Sequence, residues 1–232
     1  MREIQLPLSE AKQRLLDAAE PLLAERGFEA VSVRDITQLA KANVAAINYH
    51  FGTREGLIGW VVVRHLQPLN DERLARLESL ERKGGTAKAA PVEEILDAWA
   101  RPVVGLVRKS SLSERQCCKL LGRLLALSGE GFSQAMADHR RAVNDRFLRA
   151  LTKSLPSVAP EELGWRMHWV TGGLIHLLLY QELPVTGGAA GAPSLEAVLG
   201  RFIRFAAAGL REGVELEPTA AKKGPQATFD FG

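Results

Sequence analysis

The stretch Asn43-Val-Ala-Ala-Ile-Asn-Tyr-His-Phe-Gly52 has the most chemically suggestive spacing in the chain. At about 100° per residue on a helix, Val44, Ile47 and Phe51 fall on one side. Ala45, Ala46 and Tyr49 fall roughly opposite, with Asn48 and His50 on the flanks. The outward face therefore combines small side chains with one long aromatic hydroxyl. Small side chains let a backbone approach a surface closely. In a DNA major groove, alanine methyls meet thymine methyls and asparagine pairs with adenine, while a tyrosine hydroxyl or histidine N–H reaches phosphate oxygens. The competing reading is a solvent-exposed helix with no partner.

Other constellations point to less. Trp165, His168, Trp169, Gly172, Gly173 and His176 share one segment at helical spacing. They suit a ligand pocket, a metal site or a packed subunit interface. His168 and His176 lie two helical turns apart, too far to share a metal without further ligands, so no metal is expected. Glu161 and Glu162 suit the first turn of a helix, where carboxylates favour the dipole. No nucleophile elbow and no phosphate-cradling glycine loop occurs, so neither an enzyme nor a cofactor is expected. His139-Arg140-Arg141 reads as a solvated face or an anchor for an anionic head group. Cys117 and Cys118 are adjacent, a poor disulfide framework, and read as buried thiols or a redox sensor.

The elements that must carry these residues all read as helix. Leu15, Leu16, Ala18, Ala19, Leu22 and Leu23 form an amphipathic stripe, with Ser9 as its cap and Gly27 as its stop. Pro21 inside that pattern removes a hydrogen bond. Ser32-Val-Arg-Asp35 is a capping-box start to a short helix whose apolar face is Val33, Ile36, Leu39 and Ala40. A short turn, Lys41 to Asn43, leads into the opening stretch, with Asn43 as its cap. Gly52-Thr53 ends it, and Thr53 caps a longer helix running to about Arg82, which Pro68 should kink or interrupt. Residues 83–91 read as a linker-like loop. Helices follow at about 92–110, 114–128, 131–154, 160–182 and 194–213, with a Gly/Ala loop at 184–193 and a loose tail from 214. The expected class is all-α, a three-helix helix-turn-helix domain followed by a helical domain.

The chain has 232 residues, of which 46% are hydrophobic and 25% charged, a globular composition. No apolar run reaches the roughly 18 residues a membrane helix needs, and the N-terminus lacks the apolar core of a secretory signal; a cytoplasmic protein with no membrane partner is expected. The formal net charge is +3, but residues 1–60 hold seven Lys/Arg against eight Asp/Glu. DNA binding here would rest on a few well-placed groups, not on bulk charge.

Residues 9–60 resemble the DNA-binding domain of the TetR (tetracycline-repressor-like) family. The stretches that carry the likeness are LLDAAEPLLAERGFEAVSVRDITQLA and NVAAINYHFGTREGLI. The resemblance implies that Ser32 and Arg34 open a helix lying on the DNA backbone. It implies that Asn43, Val44, Ala45 and Ala46 form the entering end of the recognition helix, with Asn48 on its flank. Tyr49 and His50 match a backbone-contacting pair. Thr53 and Arg54 match the next helix N-terminus, where Arg54 would meet a phosphate. Two positions depart from the family. Lys41 stands where glycine is usual, at a cost of about 1 kcal/mol if its φ is positive, and Ala42 stands where a larger apolar residue is usual.

The expectation is a homodimeric regulator of palindromic double-stranded operator DNA, read as a repressor. Residues 1–60 would read DNA, 61–213 would dimerise and hold a small effector, and 214–232 would be a flexible tail. The alternatives are a helical enzyme and an architectural DNA protein without an effector. The resemblance implies dimerisation through the last two long helices, with Trp165, Gly172, Leu177, Phe202 and Phe205 at the interface. The candidate effector pocket comprises Trp99, Arg123, Leu124, Phe132, Met136, Phe147, Trp169 and His176. Mostly apolar, with Arg123 and His176 turned inward, it would suit an apolar or acyl-type molecule with a polar head.

Overall fold

The computed structural model describes residues 9–84, 89–127, 134–180 and 193–212. Phe132, the tail from 214 and most of the expected Gly/Ala loop lie outside the described residues. Among the described residues every regular element is a helix: α1 (Glu10–Arg26), α2 (Val33–Leu39), α3 (Val44–Phe51), α4 (Arg54–Gly84), α5 (Val92–Ala100), α6 (Pro102–Lys109), α7 (Glu114–Ala126), α8 (Gln134–Ser154), α9 (Pro160–Leu179) and α10 (Leu195–Arg211). The all-α class expected from the patterning is the one observed.

Helix starts follow local chemistry. The Ser9 hydroxyl accepts from the Lys12 amide at 3.3 Å, and the Ser113 and Ser194 hydroxyls do the same for α7 and α10. α1 ends at Gly27, whose φ of +84° a side chain would resist. Pro21 sits within α1 and does not end it. The interruption expected at Pro68 does not occur, since α4 runs unbroken from Arg54 to Gly84. The segment expected as one helix over 92–110 is instead two. Pro102 has no N–H to give the Ala98 carbonyl, so α5 closes at Ala100 and α6 opens with proline in its first turn.

α4 is the spine. It packs against α1 and α3 of the N-terminal bundle and against α5, α6, α7 and α8 beyond it. Leu57, Val61, Leu69 and Leu77 are fully buried along it, and the apolar residues of both halves form one continuous core.

Candidate nucleic-acid interface

The ends of α2 and α3 and the turn between them are set by contacts within a few residues, while Ile36, Ile47 and Phe51 pack into the common core. The Ser32 amide donates to Asp35 Oδ2 at 2.8 Å, and the Asp35 amide donates to Ser32 Oγ at 3.2 Å, a reciprocal capping box. The hydrogen bonds from Ser32, aided by Arg26, hold the Asp35 carboxyl below the usual carboxylate range. After α2 the chain reverses through Lys41, whose φ is +50°. The Ala42 amide reaches back to the Thr37 carbonyl at 2.9 Å. Asn43 then caps α3 by accepting from the Ala45 amide at 3.0 Å. Gly52, with φ +76°, closes α3, and Thr53 Oγ1 accepts from the Gly56 amide at 3.0 Å to start α4.

Ile47 and Phe51 of α3 are buried as the spacing predicts, but Val44 is not a core residue; it is 42% exposed. Val44 is the first residue of α3, one turn before the buried Ile47. Asn43, Ala45, Asn48 and Tyr49 are exposed, and Tyr49 stands 85% clear of the protein with its ring edge-on to His50 at 4.9 Å. Ala46 is half-buried against the core, so Ala45 is the outward small residue of the pair. Ser32 and Arg34 are exposed beside α2, and Arg34 pairs with no carboxylate among the described residues.

Arg54 does not stand free for a phosphate. Its Nε donates to the Val31 carbonyl at 2.8 Å, and another guanidinium nitrogen donates to the Phe28 carbonyl. Those carbonyls belong to the α1–α2 loop, where no helix supplies donors, so the cation is committed to bracing the bundle. Sequence spacing also offers no sign of Lys12, whose ammonium lies 3.1 Å from the Trp60 ring centroid and 5.4 Å from that of Phe51. Partial burial lowers its pKa.

The residues expected in an effector pocket part company. Trp99, Leu124, Met136 and Phe147 are buried. Arg123, expected to point inward among them, points the other way. Its Nε donates to the Ala24 carbonyl at 3.1 Å and its Nη2 to the Glu25 carbonyl at 3.4 Å, capping the end of α1. Lys119 joins it with an ion pair to Glu25 at 2.9 Å, and that hydrogen bond holds the Glu25 carboxyl below its ordinary range. Trp169 is 62% exposed and His176 is exposed beside Tyr180, so neither turns inward. A buried cation outside the expected set is Arg73, on the same stripe of α4 as Leu66, Leu69 and Leu77. That stripe is the signal that could have identified it.

A cleft of about 440 Å³ opens between α1, α4 and α6, and none of the expected pocket residues lines it. Asp17, Glu20, Arg64 and His65 share it, with Arg64 paired to Asp17 at 2.8 Å and to Glu20 at 3.1 Å. Cys117 and Cys118 are both buried and unbridged, and burial pushes the Cys117 thiol up.

The expected interface residues also divide. Trp165, Trp169, Gly172, His176 and Tyr180 form an exposed stripe along α9, and Phe205 stands 79% exposed on α10. Leu177 is buried within its own chain, and Phe202 is half-buried, close against Gly173. Phe202 thus packs on α9 from α10, and Leu177 is covered by its own chain.

Two family models match the chain: "Bacterial regulatory proteins, tetR family" over residues 15–59, and "Tetracyclin repressor-like, C-terminal domain" over 97–209. An HTH-type transcriptional repressor of Mycobacterium tuberculosis is 38% identical over 92 residues, 40% of this chain and 44% of that protein. The match thus spans less than half the length of this curated relative. Among solved structures, the TetR family transcriptional regulator PfmR from Thermus thermophilus superposes with a TM-score of 0.57 at 20% identity, covering 86% of this chain and 100% of its own. A tetR-family regulatory protein from Rhodococcus RHA1 gives 0.58 at 17% identity, covering 89% and 100%. NalD of Pseudomonas aeruginosa, the secondary repressor of the MexAB-OprM multidrug efflux pump, gives 0.57 at 16%, covering 88% and 97%. At these identities the likeness is one of fold.

Proposed function

The chain belongs to the tetR family of bacterial regulatory proteins, and from that premise we propose that it is a ligand-responsive repressor that binds a palindromic operator as a homodimer. The single observation that carries this reading is the face of α3. It is a capped helix after a tight turn, and it presents Asn43, Ala45, Asn48 and Tyr49 to solvent above a buried Ile47 and Phe51. Such a face costs little to press against a groove, because most of its side chains are short. Its asparagines can read base edges, and its tyrosine can fix the register on phosphate.

Dimerisation would use the aromatic stripe of α9 together with α10. Residues 9–60 act as the reading head, and the helices from 61 onward form the assembly and effector part. Release follows from an effector that prefers the arrangement in which the two heads no longer fit adjacent grooves. The effector is read as a small, apolar or acyl-type molecule, and the buried apolar side chains of α5, α7 and α8 support that reading.

Fluorescence anisotropy with a palindromic duplex, repeated across salt concentrations, tests the proposal. Half-sites about 34 Å apart should bind best, and affinity should fall steeply with salt. Tyr49→Phe should weaken every duplex alike by about 1 kcal/mol, the worth of one hydrogen bond. Ala45→Leu should abolish sequence preference. Equal affinity for any duplex, or folded variants that bind like the parent, would remove α3 from the groove.

A further inference from the structure

Arg73 is a buried cation without a counter-ion. It is only 4% exposed, and no carboxylate pairs with it among the described residues. Its Nε donates to the Trp99 carbonyl at 2.8 Å, its Nη1 donates to Asn70 Oδ1 at 3.3 Å, and its guanidinium lies 4.8 Å from the Trp99 ring centroid. The remaining nitrogen, Nη2, is buried and has no partner. Arg166, the other buried arginine among the described residues, shows what a settled one looks like. It is paired to Glu162 at 2.7 Å and donates to the Leu210 carbonyl at 2.9 Å. An isolated buried charge is costly, and such charges are normally paired. Burial pushes Arg73 down to about 9, which still leaves it charged at neutral pH.

We propose that Arg73 anchors the effector site and that the effector it takes is a carboxylate on an apolar body. The inference rests on the effector reading above and gives it a residue and a chemistry. The open Nη2 offers its hydrogens to one acceptor oxygen. A water would satisfy that donor but not the charge. A carboxylate does both, one negative charge meeting one positive charge, whereas a phosphate dianion leaves a new excess. The apolar body is inferred from the neighbours of Arg73: Leu69 and Leu77 stand one helical turn to either side of it on the buried stripe of α4, and the Trp99 ring of α5 lies against its guanidinium. Arg73 and Trp99 thereby bring together a charge and an aromatic wall at the contact of α4 with α5.

The test titrates the full chain with laurate and, separately, with dodecanol, a probe with the same tail and no charge. The parent protein should bind laurate at least about tenfold tighter than dodecanol, the equivalent of one modest charge-assisted contact. Arg73→Met should bind the two alike, and without ligand it should melt no lower than the parent, since it removes an unpaired buried charge. If Arg73→Met does not fold, Arg73→Gln carries the same test, because it keeps a donor for the Trp99 carbonyl without the charge. Equal binding of both probes by the parent, binding of neither, or an acid preference that survives in the neutral variant overturns the proposal. Operator binding is measured in parallel to separate the two ideas. Laurate that binds through Arg73 without releasing DNA leaves the site standing and breaks the effector reading. Laurate that releases DNA equally from the parent and Arg73→Met does the reverse.

Discussion

The exposed faces of α3 and α9 are opposite solutions to the same problem of leaving a helix side uncovered. α3 and its cap show solvent two asparagines, an alanine, a valine and one tyrosine. α9 and its cap show two tryptophans, two histidines, a glycine and a tyrosine, and Phe205 of α10 adds to the aromatic surface. Short polar side chains cost little to leave in water and lose little entropy when a rigid polyanion docks on them. Large exposed aromatics are different, because a contiguous apolar patch marks a surface that meets another apolar surface. The contrast separates a face suited to DNA from one suited to a second copy of the chain.

The sharpest way to break that contrast is to charge the aromatic face. The double variant Trp169→Asp, Phe205→Asp should leave the fold intact, since both side chains are exposed in the single chain. It should abolish the proposed homodimer, with a loss of at least about 2 kcal/mol for each anchor. Sedimentation velocity at micromolar concentration reads the outcome. A variant that still sediments with the parent would show that α9 and α10 do not make the contact. Operator affinity should collapse along with the dimer, because a lone head meets only one half-site.

A smaller effect is expected where the reading head meets the rest of the protein. Arg123→Ala removes donors from the Ala24 and Glu25 carbonyls at the end of α1 and should cost about 1.5–3 kcal/mol of thermal stability. The neighbouring Lys119–Glu25 pair adds a pH signature. Because the folded state holds the Glu25 carboxyl low, chiefly through the Lys119 hydrogen bond, its contribution is present above the unfolded carboxyl's pKa. It is lost as pH falls through the lower folded value. Glu25 is exposed and Lys119 partly so, which leaves the pair screened by solvent, so Lys119→Met should flatten the acid limb only slightly. An unchanged acid limb in that variant would show that the pair adds nothing.

The two regions also differ in how far the sequence announces them. Ser9, Ser32, Asn43, Gly27 and Gly52 do what their types suggest, because each cap finds its partner within four residues. The arginines do not, because their partners lie far along the chain. Arg54 reaches Val31, Arg73 reaches Trp99, and Arg123 reaches Ala24. Residue type says only that a guanidinium must find acceptors; the fold decides which. Periodicity marks the buried side of α4 clearly enough to include Arg73, yet a cation in an apolar stripe reads as an exception until Trp99 is seen beside it. The break between α5 and α6 is legible in Pro102, whereas Pro21 and Pro68 sit in helices that continue.

The smallest expected effect tests the turn that presents α3. Lys41 holds a φ of +50°, a conformation that costs an L-residue with a side chain roughly 1–2 kcal/mol. Glycine adopts it without that strain, but glycine also gives the unfolded chain more freedom, worth about 0.4–1 kcal/mol. The difference predicts that Lys41→Gly stabilises the protein by between about 0 and 1.6 kcal/mol. Lys41→Ala is the control, because it removes the same charge and keeps the strain; it should melt with the parent or slightly below it. Paired thermal melts of the two variants isolate the backbone contribution, and their operator affinities should match, since both lack the same cation. If Lys41→Gly melts below Lys41→Ala, the left-handed turn is not strained, and the departure from glycine at this position costs the reading head nothing.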